Sequence, residues 1–167
     1  VNALFKTENP RVGLVNIGSE EEKGPDDIKA ANALMKESSL NYIGYLEGKD
    51  LFEGKADVVV TDGFTGNVIL KVVEGTAKYM FSEIKQVLFK NLKTKIGALF
   101  LKNGLYEFKK KMDPDIHGGA PILGVNGLVI KSHGSSNAKT IKNVVLKAYD
   151  LATSTFMDDI RLNFEKI

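Results

Sequence analysis

The sequence predicts an α/β fold with a doubly wound, mostly parallel sheet, and three observations predict it. Val12 to Ile17 is an almost unbroken apolar run closed by Gly18, the pattern of a strand covered on both faces. A second strand-like segment, Asp57-Val58-Val59-Val60-Thr61, is short and β-branched and lies between Gly54 and Gly63. Between and after these runs the apolar period changes from continuous to three-and-four, so strands and helices alternate as they do in βαβ units.

The elements follow in order. After Val12–Ile17, the string Gly24-Pro25-Asp26-Asp27 puts proline and acids where a helix begins, and Ile28, Ala31, Leu34 and Met35 continue at helical spacing. Leu40 to Leu46 reads as extended, and Asp57–Thr61 as the third strand. From Thr65 the positions Val68, Ile69, Val72, Val73, Ala77, Met80, Phe81, Ile84, Val87 and Leu88 predict one long helix. Leu92 to Met112 keeps a helical pattern but contains Gly97 and Gly104, each costing about 1 kcal/mol in a helix interior, so two short helices are expected. Ile122–Val125 and Leu128–Lys131 flank Asn126-Gly127, the pair suited to a tight hairpin turn. A last helix is expected from about Ser136 to the end, capped by Ser135 or Ser136, with Ile141, Val144, Val145, Ala148, Leu151 and Ala152 buried.

With 43% hydrophobic and 26% charged residues, the 167 residues have the make-up of one soluble globular region, read as a single α/β unit over 1–167 with a basic helical insertion at 90–112. The absence of cysteine removes disulfides, thiolate metal sites and a cysteine nucleophile. No run approaches the roughly 20 apolar residues of a membrane span, and VNALFKTENPR lacks the pattern of a signal peptide, so a cytoplasmic location is expected. A net charge of +2 gives no support to nucleic-acid binding. No cofactor is expected. The two histidines and scattered acids lack metal-ligand spacing, and no Gly-x-Ser-x-Gly elbow is present.

Three loops carry the candidate chemistry. Asn16-Ile17-Gly18-Ser19-Glu20 ends the first strand, where Asn16, Gly18 and Ser19 would line a pocket; ordinary turn chemistry is the alternative. Thr61-Asp62-Gly63-Phe64-Thr65-Gly66-Asn67 joins a strand to the long helix, so free N–H groups and the helix dipole would meet a guest anion there. Gly63 and Gly66 allow close approach, Phe64 lines the pocket, Asn67 donates, and Asp62 accepts or orients; the plain alternative is that Asp62 or Thr65 caps the helix. Lys131-Ser132-His133-Gly134-Ser135-Ser136-Asn137 gathers a cation, an imidazole and hydroxyls at a strand-to-helix junction, a set suited to phosphate. His117 stands second to His133 as a functional histidine.

The stretch Lys90–Lys111 combines seven lysines with Leu92, Ile96, Leu99, Phe100, Leu101, Leu105, Tyr106 and Phe108, and Glu107 is its only acid. Lys93, Lys95, Leu99, Phe100, Leu101 and Lys102 would meet an anionic membrane surface or an acidic carrier protein. The alternative is a helical hairpin with a solvated basic face.

The three runs NIGSEEEKG, DVVVTDGFTGNVILKVVEG and GGAPILGVNGLVIKSHGSSNAKTIKNV closely resemble the PlsX family of phosphate acyltransferases. The resemblance covers nearly the whole chain but only the later half of a family member, so Val1 is not expected to be a natural start. It implies acyl transfer from acyl carrier protein to inorganic phosphate in phospholipid synthesis, by a homodimer peripheral to the membrane. It implies a fold similar to the isocitrate and isopropylmalate dehydrogenases and to phosphotransacetylase. It also supports Asp62, Gly63, Phe64, Gly66, Asn67 and the Lys131–Asn137 loop as site-lining.

On the chemistry itself, phosphate held by Gly134, Ser135, Ser136 and Asn137 would attack the thioester carbonyl directly, with Asn67 or Lys131 donating to the oxyanion. His133 would orient phosphate or protonate the leaving group. A phosphotransacetylase acting on acyl-CoA and a noncatalytic carrier- or membrane-binding module are the rival readings.

Overall fold

The computed structural model describes residues 7–111, 119–134 and 136–164, in two compact units divided after Gly75. In the first unit, β1 (Val12–Val15) is the middle strand of a parallel sheet in the order β2-β1-β3, with β2 at Tyr42–Leu46 and β3 at Val58–Val60. The apolar run is the reason β1 is central: all four of its residues are buried, and Leu14 is 1% exposed. Helix α1 (Asp26–Glu37) makes the β1-to-β2 connection and packs on β2, placing Ile28 in the same core as Leu14 and Leu46. The register slips between Val12 and Leu14 of β1 where β2 bulges at Ile43–Gly44.

Polar side chains pin the amino ends of these strands. Arg11 donates through Nε and Nη2 to the two carboxylate oxygens of Asp57 at 3.0 Å each, and its backbone N–H adds a bond of 2.9 Å. This fork joins the entry of β1 to the entry of β3, and the Arg11 guanidinium holds the Asp57 carboxyl at about 2. Tyr42 donates to Asn32 Oδ1 at 2.7 Å, linking α1 to β2, and burial pushes its phenol up. A 3₁₀ turn over Gly48–Phe52, absent from the sequence expectation, is closed by Asp50, which accepts from the Glu47 N–H at 2.9 Å and from Lys55 at 2.5 Å.

Helix α2 runs from Gly63 to Leu88, starting two residues before the expected Thr65, and the unit boundary falls within it. The strands are correspondingly shorter than the runs that announced them: Asn16 and Ile17 lie beyond β1, and Leu40 and Asn41 precede β2.

In the second unit, α3 is one helix over Leu92–Lys111, not two short ones. Nothing lies within 4 Å of a Cβ added at Gly97 or Gly104, so neither glycine marks a break. Its start is fixed by Asn91 and Thr94, whose side chains accept from each other's N–H groups at 3.0 and 3.1 Å. Phe81 of α2 and Phe108 of α3 stack at 5.5 Å between centroids.

The antiparallel pair is β4 (Ala120–Ile122) with β5 (Val129–Lys131), Ile122 opposite Val129. The connection is therefore Leu123–Leu128 rather than a two-residue Asn126-Gly127 turn; Gly124, not Asn126 or Gly127, has positive φ. Gly119 enters β4 with φ +84°, and a Cβ there would stand 2.6 Å from the Lys131 carbonyl oxygen, so that position admits glycine alone.

The last helical region is also divided. Helix α4 (Ala138–Ala152) is capped by Asn137, whose Oδ1 accepts from Lys139 N and Thr140 N, in place of the expected serine cap; Ser135 lies outside the described residues. Thr153 ends α4, and α5 (Phe156–Phe164) restarts after Ser154, which accepts from Phe156 N at 3.2 Å. Along α4 Thr140 and Leu151 are buried and Val144 and Ala148 half-buried, while Ile141, Val145 and Ala152, expected inside, are exposed. The lesser of two apolar faces is the covered one.

Candidate functional site

Two of the three candidate loops leave the carboxyl ends of neighbouring parallel strands, β1 and β3, the edge at which α/β sheets collect ligands. The first is clamped from within. Asn16, 7% exposed, donates from Nδ2 to Lys23 O at 3.0 Å and accepts the Ile17 N–H at 2.9 Å, while its own N–H reaches Leu46 O at 2.9 Å. Gly24 makes this possible: its φ is +91°, and a Cβ there would sit 2.1 Å from Asn16 Oδ1. Over Gly18 lies the ion pair of Lys23 with Glu20, 2.6 Å apart. The amide of Asn16 thus serves its own loop, and Gly18, Ser19 and Ile17 form the rim, with Ser19 and Ile17 exposed.

The second loop is a helix cap. Asp62 Oδ1 accepts from Phe64 N at 2.9 Å and Thr65 N at 2.8 Å, and Asp62 O accepts from Gly66 N at 3.0 Å. Hydrogen bonds from Thr65 and Phe64 hold the Asp62 carboxyl below its usual range. It is ionised at neutral pH and acts as an acceptor.

Its charge already complements the start of α2, the position that the sequence offered to a guest anion. Gly66 abuts the Thr61 methyl, where a Cβ would come within 2.8 Å, whereas a Cβ at Gly63 would meet nothing within 4 Å. Gly66 is therefore a packing glycine and Gly63 leaves open room. Phe64 is 80% exposed, and Asn67 lies exposed on the first turns of α2.

The third loop belongs to the second unit. Lys131 ends β5 and is exposed, as are His133 and Gly134. Ser136 Oγ bonds His133 O and Ser132 Oγ, at 2.6 Å each, and Ser136 N reaches His133 O at 3.1 Å. With Ser136 donating to the carbonyl, Ser132 donates to Ser136, so both hydroxyl protons are held inside the loop.

Asn137 follows as the cap of α4, and Thr140, 3% exposed, has a buried hydroxyl without a partner one turn on. Thr140 escaped sequence reasoning because a threonine in a first helical turn looks like any other. Lys147, equally inconspicuous, donates to Gly119 O at 3.0 Å and ties α4 to the start of β4. Ser135 and His117 lie outside the described residues. Among the described residues no group of acids and histidines has metal-site geometry, and no helix is long and apolar enough to cross a membrane.

Residues 2–158 match the model of a family described as "Fatty acid synthesis protein". A phosphate acyltransferase of Acetivibrio thermocellus is 55% identical over 161 residues, covering 96% of this chain and 48% of that protein. Those of Alkaliphilus oremlandii and Lysinibacillus sphaericus are 50% and 49% identical, covering 94% and 92% of this chain and 47% and 46% of their own lengths. The chain spans about half the length of the curated relatives it matches. A match over nearly every residue, loops included, places this chain in the fatty acid synthesis protein family that the phosphate acyltransferases represent.

Proposed function

We propose that the chain forms the carboxyl-terminal half of a phosphate acyltransferase, one α/β region that transfers an acyl group from acyl carrier protein to inorganic phosphate in phospholipid synthesis. The observation that carries the reading is the Lys131–Asn137 loop, where a cation, an imidazole and two mutually bonded hydroxyls stand before a capped helix start.

A phosphate oxygen attacks the thioester carbonyl, Lys131 or Asn67 stabilises the oxyanion, and the tetrahedral centre collapses to acyl phosphate and the carrier thiolate, which His133 protonates. Gly134, Ser135, Ser136 and Asn137 hold phosphate; Ser136 exchanges its bond to His133 O for one to phosphate. Within the first unit, Gly63 leaves room for an anion at the start of α2, Asp62 orients a donor, and Asn16, Gly18, Ser19 and Phe64 line the thioester's path.

The sheet would extend into a doubly wound assembly of the isocitrate dehydrogenase and phosphotransacetylase type. The protein would act as a cytoplasmic homodimer at the inner membrane face, with Lys93, Lys95, Leu99, Phe100, Leu101 and Lys102 of the 90–112 insertion contacting anionic lipid or carrier protein. Exposure of Leu99 at 72% and Phe100 at 86% supports that contact.

The test is release of free carrier from a long-chain acyl-carrier thioester by the purified chain, with and without phosphate and with acyl-CoA as competitor. Phosphate-dependent release establishes the activity in this chain, while phosphate-independent hydrolysis overturns the mechanism.

A further inference from the structure

Lys147 stands on the covered face of α4, in line with Thr140, Val144 and Leu151, and is itself half-buried. Lysine is the residue type least suited to such a stripe, and its place there needs a polar partner. The Gly119 carbonyl supplies one, accepting from Lys147 Nζ at 3.0 Å.

Gly119 in turn is locked to the strand end that bears Lys131. It enters β4 with φ +84°, so close to β5 that a Cβ would stand 2.6 Å from Lys131 O and 3.1 Å from Ile130 Cγ2, and its neighbour Ala120 pairs with Lys131 in the ladder. Lys147 therefore grips the end of β5 through a single carbonyl. The helix that carries it begins just after Asn137, about 15 Å back along the axis from Lys147. A closed ring results: from Lys131 through Ser132, His133 and Gly134 to the Asn137 cap, along α4 to Lys147, and back through Gly119 to Lys131. Inside the ring, Ser136 donates from N and Oγ to His133 O. A short loop whose two ends are tied independently has its span set before a ligand arrives.

We infer that Lys147 is a positioning residue for this loop: by holding Gly119 O it fixes the end of β5 against α4, and so the spacing of the donors that phosphate meets. The inference rests on the reading of Lys131–Asn137 as the phosphate loop. Lys147 acts through the Gly119 carbonyl and the β4–β5 ladder, not by touching phosphate.

The experiment is titration of the 15N-labelled 167-residue chain with inorganic phosphate, followed by NMR at the amides of Ser132, His133, Gly134 and Ser136, which should shift with saturation in the parent. Lys147→Met keeps the stem packed and removes the donor; it should weaken phosphate binding about tenfold and speed hydrogen exchange of the Ser136 N–H, with an unchanged circular dichroism spectrum. Lys147→Arg, still able to donate to Gly119 O, should restore both. Lys147→Gln, polar and shorter, should weaken binding severalfold and carries the test where the methionine variant folds poorly. Lys142→Met removes an exposed lysine from the same helix and should alter neither readout. Parent-like phosphate binding in Lys147→Met and Lys147→Gln, unmoved loop amides in both, or an equal loss in Lys142→Met, which would make the effect one of overall charge, overturns the inference while leaving the phosphate reading intact. Loop amides that ignore phosphate in the parent overturn that reading itself, and the positioning role falls with it.

Discussion

Single side chains already separate folding roles from chemical ones. Asp57, held at about 2 by Arg11 against an ordinary 3.8, takes up its proton later in the folded chain than in the unfolded one. Its stabilisation is therefore complete above the ordinary value and is lost as pH falls through about 2. Asp57→Asn should lower the urea midpoint at pH 7, with the difference from the parent vanishing near pH 2; unfolding followed by circular dichroism across that range checks it. The glycines divide in the same way. Gly119→Ala, forced against the Lys131 carbonyl at positive φ, should cost about 1–3 kcal/mol in the same assay. Gly63→Ala, entering open space, should leave stability unchanged, so a loss of turnover in that variant would report a ligand approaching the start of α2. Lys131→Ala and His133→Ala are each expected to lower phosphate-dependent turnover about a hundredfold, and full turnover in both would overturn their assigned roles.

At the scale of elements, caps decided what periodicity left open. Asn137→Ala should destabilise α4 by about 1 kcal/mol while Asn137→Asp keeps most of the cap, measurable as a shift in the thermal transition. A run of Ser135, Ser136 and Asn137 offers three candidate caps, and only backbone direction chooses among them. Gly97 and Gly104 were read as breaks because propensity disfavours glycine in a helix, yet α3 continues through both. Gly97→Ala and Gly104→Ala should each stabilise this helix by about 1 kcal/mol, seen as a higher melting temperature. The expected hairpin forms, but without its tight turn: Asn126-Gly127 has the right chemistry for one, yet the pairing of Pro121 with Ile130 puts the turn in a wider loop. In α2 the period was legible and the face less so. Ile69, Val73, Ala77, Phe81, Ile84 and Leu88 form the half-covered line, whereas Val68, Val72, Met80 and Val87 lie exposed beside it.

For the molecule as a whole, the exposed apolar side chains dominate the outlook. Val68, Val72, Met80, Phe100, Val145 and Tyr149 are all exposed, and such surface drives association in water. Sedimentation velocity at micromolar concentration should find the chain associated rather than monomeric, and a single monomeric boundary would count against these faces being contact surfaces. Each unit nevertheless has a core of its own, Leu14, Ile28 and Leu46 in the first and Leu151 and Phe156 in the second.

The sequence by itself determined the α/β class, the central place of the Val12 run, the long helix after Gly63, the glycine-containing loops that follow β1 and β3, and the family, because each rests on local signals: apolar period, turn residues and motif strings. Tertiary structure decided how those residues are used. It spent the amide of Asn16 on Lys23, the carboxylate of Asp62 on the start of α2 and the hydroxyl of Ser136 on His133. A polar side chain's valence is divided among whatever neighbours the fold supplies, and the neighbours of Asn16, like the tie from Lys147 to Gly119, arise from contacts that no local pattern records.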